Sequence, residues 1–175
     1  MIRRPPRSTL DRSSAASDVY KRQQRYGLVS DSGGQGQFRG GLAIEREWEL
    51  LDGEAHLAIR SDRRDHLPYG LHGGGSGTPS ISLLQHVNEE EVLPTMVSTS
   101  IKAGERLYHR MAGGGGWGDP LERPADAVAR DVGNEKVSLE KAREIYGVML
   151  NGETLEVDEE ETSNLRRHMR RQGQT

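Results

Sequence analysis

The chain has 175 residues and a formal net charge of −3, with 33% hydrophobic and 29% charged residues, enough for one ordinary domain with a modest core. It has no cysteine, which excludes disulfides and thiolate chemistry. No apolar run approaches the roughly 18 residues of a membrane helix, so a cytoplasmic protein without a membrane partner is expected.

Residues 1–23, MIRRPPRSTLDRSSAASDVYKRQ, stand apart. They carry Arg3, Arg4, Arg7, Arg12, Lys21 and Arg22 against Asp11 and Asp18, a net of +4, and hold no glycine. The rest holds all 22 glycines and, with 18 basic and 25 acidic residues, a net of −7. Such a charge switch marks a boundary. A basic arm suits an anionic partner, and an Arg- and Ser-rich stretch suits a transit peptide, which the two aspartates weaken. The segment also resembles the translation of sequencing-adapter DNA. On that resemblance residues 1–23 are expected to be foreign to the protein and disordered, with the true protein continuing upstream. The chain would then be a fragment without a complete active site. A fragment exposing the surface that its missing half should cover is expected to aggregate.

Arg25 to Ser30 suits a short strand. DSGGQGQFRGG, residues 31–41, is a glycine-dense loop. Leu42, Ile44, Trp48 and Leu50 then alternate with Glu45, Glu47 and Glu49, the period of a half-buried strand. Arg46 interrupts the apolar face, as a buried or edge arginine with a carboxylate partner would. Asp52-Gly53 precedes a second alternation of Ala55, Leu57 and Ile59, so residues 42–60 predict a β-hairpin with a type I′ turn. Residues 61–80 read as loop, and Ile81 to Val87 as strand. Residues 88–91 form a solvated acidic turn. Met96 to Ile101 and Glu105 to Met111 predict two strands around a tight turn at Lys102-Ala103-Gly104. AGGGGWGDP, residues 112–120, is the second glycine cluster.

The pattern then turns helical. Pro124 suits a first turn, with Val128 and Val132 four apart. Ser138 can cap a second helix whose Leu139, Ala142, Ile145 and Tyr146 share a face, and Gly147 ends it. Val148–Leu150 and Thr154–Val157 flank Asn151-Gly152 as another hairpin. Asp158 and Glu161 make a capping-box variant for a last helix with Arg166, Arg167, Arg170 and Arg171 in its final turns. Leu165 and Met169 give it a thin apolar stripe, so it should fray or dock weakly. The fold class expected is α+β: an antiparallel β-rich part with hairpins, then a short helical region.

Gly113, Gly115 and Gly118 satisfy a G-x-G-x-x-G spacing, but Asp119-Pro120 intervenes before any helix and no βαβ unit surrounds it. No G-K-[ST] string occurs, so ATP is not bound through a P-loop here. Tight turns and close backbone approach explain the glycines most simply. The sharper reading is an anion-binding nest of N–H groups, with Arg39 beside Gly40 and Gly41 as a fixed cation. His66 and His72, with Asp62 and Asp65, offer a weak metal candidate, while surface or structural histidines are the simpler reading. The mixed run SDRRDH, residues 61–66, reads as a solvated turn, with a substrate-anchoring arginine as the alternative. No serine has a nucleophile-elbow context.

Three segments together, SDSGGQGQFRGGLAIEREWELL (30–51), RSDRRDHLPYGLHGG (60–74) and AGGGGWGDPLERPADAVARDVGNEKVSLEKAREIYGVML (112–150), resemble the C-terminal region of the hydantoinase B family. The family includes B subunits of N-methylhydantoinases, the matching half of ATP-dependent 5-oxoprolinase and α subunits of acetone carboxylase-type enzymes. The resemblance covers 24–151 and leaves 152–175 as a charged helical tail. It implies hydrolysis of a small cyclic amide with an A-type partner subunit that uses ATP. It also implies a divalent metal in the intact subunit, with ligands in the N-terminal half that this chain lacks. No nucleic-acid partner is implied. The matched residues Gly33, Gly34, Arg39, Gly40, Gly41, Asp62, Arg63, Gly113, Gly114, Gly115, Gly116 and Asp119 become candidates for binding substrate or phosphate. An acetone carboxylase-type ligase subunit, or a non-catalytic module binding an anion or a partner, are the alternatives.

Overall fold

Alternating sequence builds strands first and helical sequence follows, as an α+β chain requires. The computed structural model describes residues 20–172. Its strands are β1 (Lys21–Leu28), β2 (Ile44–Leu50), β3 (Glu54–Arg60), β4 (Ile81–Gln85), β5 (Glu90–Val92), β6 (Met96–Lys102) and β7 (Arg106–Arg110). Its α-helices are α1 (Ala125–Gly133), α2 (Leu139–Glu144) and α3 (Glu159–Gln172). For residues 1–19 the expected disorder falls outside the described residues. From Lys21 onward the chain is strand, so the boundary expected after residue 23 falls inside β1. A basic stretch can pair at a sheet edge because solvent covers its side chains.

The chain clusters into two units. The first takes the described residues up to Tyr26, Arg46–Arg60 and Ser82–His109. Strands β2, β3, β4, β6 and β7 lie where the sequence puts them, while β5 falls in the stretch expected to be an acidic turn, and the pairings differ from the expected hairpins. One sheet has the order β1-β2-β7-β4-β5, and β3 pairs with β6 in a second. The β3–β6 ladder is antiparallel, from Glu54 opposite Lys102 to Arg60 opposite Met96. At residues 51–53 and 103–105 the two connections leave one sheet side by side and enter the other. Ala103 N donates to Gly53 O and Gly104 N to Leu50 O, both within 2.9 Å. A type I′ hairpin needs positive φ at both turn residues. Gly53 has it, at 70°, and Asp52 does not. The crossing lets both sheets bury apolar faces around Leu50, Leu84, Leu93, Ile101 and Leu107, which a flat ribbon could not do.

Two polar side chains sit near this core. Arg46 finds an aromatic ring in place of a carboxylate: its guanidinium lies 5.0 Å from the Tyr26 ring centre. His109 Nδ1 lies 2.9 Å from the buried Ser82 hydroxyl. Burial, then the Arg46 charge, lowers the His109 pKa and keeps the ring neutral.

The second unit takes Gly27–Glu45, Ser61–Ile81 and the described residues from Arg110 onward. Its helices gather around Val128, Val137, Ala142, Tyr146 and Val148. The Ser138 hydroxyl accepts Lys141 N at 3.2 Å and caps α2, and Gly147 (φ 60°) turns the chain after it. Asp158 Oδ1 accepts Glu161 N at 2.9 Å, the cap expected for α3. The hairpin expected over 148–157 is reduced to one bridge, Leu150 to Val157, because the Asn151 side chain accepts the Glu153 and Thr154 N–H groups instead. Helix α3 is held by more than its thin stripe. Arg166 donates to Tyr146 O at 3.0 Å and Arg123 O at 2.7 Å, and the buried Thr162 hydroxyl accepts Met149 N at 3.0 Å. Hydrophobic periodicity misses polar anchors of this kind.

A titratable pair links β7's approach to the turn after β4. His86 Nδ1 lies 2.6 Å from Glu105 Oε1. That bond raises the His86 pKa, against some desolvation, and lowers the Glu105 pKa. A raised histidine contributes stability below its unfolded pKa and loses it as pH rises through its folded value. The lowered carboxyl loses its share only as pH falls through its own folded value. Between about pH 6 and pH 8.5 the melting temperature of the wild type should therefore fall relative to that of His86→Gln. Parallel melting curves across that window would show that the pair is uncoupled.

Candidate functional site

Three glycine-rich stretches of the second unit lie against one another: residues 31–41, 68–78 and 112–118. Their contact is backbone on backbone. A Cβ at Gly34 would sit 2.2 Å from Gly75 O, at Gly40 2.1 Å from Gly114 O, and at Gly113 1.8 Å from Ser32 O. At Gly115 it would meet Tyr69 O at 2.0 Å, and at Gly116 Gln35 O at 2.0 Å. No side chain fits at such distances, so these five positions require glycine.

Hydrogen bonds tie the stretches together. Gly34 N donates to Gly114 O, Gly114 N to Gly41 O, Gly75 N to Gln35 O and Gly116 N to Gly75 O, all between 2.7 and 2.9 Å. Phe38 and Trp117 exchange two bonds of 2.9 Å. The N–H groups of Gly34, Gly40, Gly113, Gly114 and Gly116 are thus already given to backbone carbonyls. At one end of the weave the Trp117 ring lies 5.5 Å from Phe38 and 5.2 Å from His72. Phe38, Leu71 and Trp117 remain exposed there, at 62%, 54% and 43%.

Arg39 anchors the first stretch to α1. Its Nε is 3.1 Å from Asp131 Oδ2, its Nη2 3.4 Å from Oδ1, and its Nη1 donates to Gly40 O at 2.7 Å. Arg123 approaches the same carboxylate, Nη2 to Oδ2 at 2.8 Å, and donates to Gln37 O at 2.9 Å. Burial alone would raise the Asp131 pKa; the bonds and charges of Arg39 and Arg123 outweigh it and hold the carboxyl low. Neither Asp131 nor Arg123 was distinguished by the sequence. The available signal was position: 128, 131 and 132 share one helix face, so a carboxylate at 131 points inward with the valines.

The remaining candidates are dispersed. Asp62 and Arg63 are exposed, with Arg63 at φ 63°. Asp119 Oδ1 accepts Leu121 N at 2.8 Å and caps the short 3-10 turn Pro120–Glu122. His66, His72, Asp62 and Asp65 do not converge, and no three acidic or histidine side chains among the described residues are placed to hold a metal ion. Loop proximity in sequence did not become proximity of donors.

Known proteins resemble this chain in sequence and in fold. The hydantoinase B/oxoprolinase pattern matches residues 21–120, which takes in all three glycine stretches. The chain belongs to the hydantoinase B/oxoprolinase family. It is 38% identical over 136 residues to the caprolactamase subunit beta of Pseudomonas jessenii, covering 73% of this chain and 23% of that one. It is 36% identical over 98 residues to 5-oxoprolinase 1 of Arabidopsis thaliana, covering 55% of this chain and 8% of that one. The crystal structure of the P. jessenii ATP-dependent caprolactamase superposes with a TM-score of 0.69 and 35% identity, over 82% of this chain and 26% of that one. A nucleotide-free acetone carboxylase gives a TM-score of 0.72 at 21% identity, over 87% and 25%, a likeness of fold. The chain spans about a quarter of the length of the first relatives it matches.

The weave separates two adjacent family glycines. Gly40→Ala should cost about 3 kcal/mol through the clash with Gly114 O, by denaturant unfolding. Gly41→Ala, where a Cβ meets nothing within 4 Å, should stay within about 0.5 kcal/mol of wild type. Equal effects would refute the packing account. Asp131→Asn, which leaves two guanidinium groups facing each other, should cost about 3 kcal/mol in the same assay.

Proposed function

We propose that this region serves an intact B-type subunit that works with an ATP-using A-type subunit to open a small cyclic amide. The observation that carries the reading is the match in both sequence and structure to caprolactamase from P. jessenii. The acetone carboxylase likeness is one of fold, so ketone carboxylation ranks second.

Amide resonance makes a lactam carbonyl a poor electrophile. Transfer of the ATP γ-phosphoryl group to the amide oxygen removes that protection. Water then adds to the carbon, the ring C–N bond breaks and the nitrogen takes a proton. A second water releases phosphate from the acyl phosphate, so one ATP and two waters give an amino acid, ADP and phosphate. In this reading the stretches bearing Gly33, Gly34, Gly40, Gly41 and Gly113 to Gly116 form a rigid wall of the substrate pocket. Arg39 is the candidate polar group on that wall, and Asp62, Arg63 and Asp119 lie in its flanking loops. Support comes from the cross-bonded backbone, which holds a shape without rotamer freedom. A divalent metal, implied by the family resemblance, finds no donor set among the described residues, and its ligands are proposed to lie elsewhere in the intact subunit. A cytoplasmic site of action belongs to the same proposal; no helix among the described residues is long and apolar enough to cross a membrane.

The test uses the intact subunit co-purified with its ATP-using partner and a panel of lactams, hydantoins and 5-oxoproline. Amide-dependent ADP release with ring-opened product, independent of bicarbonate, is the expected result. Turnover only with a ketone and bicarbonate would overturn it in favour of the ligase. In the active enzyme, Arg39→Ala should lower kcat/KM by about tenfold or more. Unchanged steady-state kinetics would remove Arg39 from the pocket.

A further inference from the structure

A cleft of about 250 Å³ opens in the second unit beside the first glycine stretch and helix α2. Asp31 and Arg39 contribute from one segment, and Val137, Lys141, Ile145 and Tyr146 from the other. Tyr146 is 2% exposed, yet its hydroxyl forms no hydrogen bond with any described residue. The phenol is not among the buried side-chain groups left without a partner, so its hydroxyl meets the water of the cleft and can exchange that water for a ligand's acceptor. Lys141 forms no ion pair among the described residues. Arg39 commits its Nε and one hydrogen on each terminal nitrogen to Asp131 and Gly40, which leaves the rest of its fork uncommitted.

The charges select the ligand. Among the lining residues Arg39 and Lys141 stand against Asp31, a surplus of one positive charge, and the Arg123–Asp131 pair beside Arg39 adds none. Asp31 is already engaged, its Oδ1 accepting Ser138 N at 2.9 Å. A single negative charge balances the cleft, while a phosphate dianion would overshoot it and face Asp31. Val137 and Ile145 supply an apolar wall. Burial pushes the Tyr146 pKa up, so the phenol stays protonated and can donate.

We infer that this cleft binds a small organic carboxylate, which accepts the Tyr146 hydroxyl, pairs with Lys141 and lays its apolar end against Val137 and Ile145. The cleft shares Gly33 and Arg39 with the wall proposed for the substrate pocket, but carboxylate binding here does not require that the intact subunit open lactams, and its test needs no activity. The full 175-residue chain is titrated with sodium butyrate, butyramide and inorganic phosphate at constant ionic strength, and amide resonances are followed by heteronuclear NMR. Butyrate should give saturable shifts at residues around Lys141 and Tyr146. Butyramide and phosphate should bind about tenfold more weakly or not at all. Tyr146→Phe and Lys141→Met should each weaken butyrate about tenfold, with Arg143→Met, an exposed change on the same helix, as the neutral control. Tyr146→Phe removes one oxygen and enlarges nothing, so its spectrum should overlay that of the wild type away from the cleft. Absence of saturable shifts, equal binding of butyramide, tighter binding of phosphate, or unchanged affinity in both variants would each overturn the inference.

Discussion

Backbone can approach backbone this closely only where every side chain is a hydrogen atom, and the second unit is organised by that fact. The stretches at 31–41, 68–78 and 112–118 come within van der Waals reach through Gly34, Gly40, Gly113, Gly115 and Gly116. Such a region has almost no apolar side chains to bury. Its cohesion must come from satisfied hydrogen bonds and dense dispersion contact between peptide groups. Ser32 illustrates the demand: at 1% exposure its hydroxyl accepts Ala43 N and donates to Val29 O. An unpaired peptide group inside the weave would cost more than the weave gains by excluding water.

Glycine is conformationally loose in the unfolded chain, so ordering so many of them is entropically expensive. The Arg39–Asp131–Arg123 cluster acts on that cost. It joins the first glycine stretch to α1 through one carboxylate, and Arg123 reaches back to Gln37 O. Two cations on one buried anion would repel each other without Asp131, so the three groups stand or fall together. Arg166 extends the chain of contacts by donating to the Arg123 carbonyl from α3. The arginines of the last helix thus have structural work within this unit, beside whatever they meet elsewhere.

The sequence revealed the elements of the first unit and concealed their partners. Alternation at Ile44–Leu50 and Ala55–Ile59 states which side chains share a face. It says nothing about whether Asp52-Gly53 folds a hairpin or passes the chain from one sheet to another. Both outcomes bury the same residues, and only the Asp52 backbone angle distinguishes them. The helical caps at Ser138 and Asp158 were legible because each acts within a few residues. Asp131 was not, because its significance depends on Arg39, 92 residues away in sequence. Family resemblance rested on the glycine strings, which are also the part of the site whose chemistry is least visible from residue type.

The glycines of those strings do not all have the same cause. At Gly33, Gly40 and Gly113 to Gly116 an added Cβ would meet backbone or reach it at contact distance, so packing suffices as the reason for glycine. Gly41 is different. It has open space within 4 Å of a would-be Cβ, and it does not have a positive φ. Nothing within the described residues requires a glycine there, although its carbonyl accepts Gly114 N. A glycine that neither packing nor backbone angle demands stands next to Arg39 and Gly40, at the start of the stretch that leads into β2. If the family string at 39–41 has a part that serves contact with something outside this chain, position 41 is where the internal reasons for glycine stop.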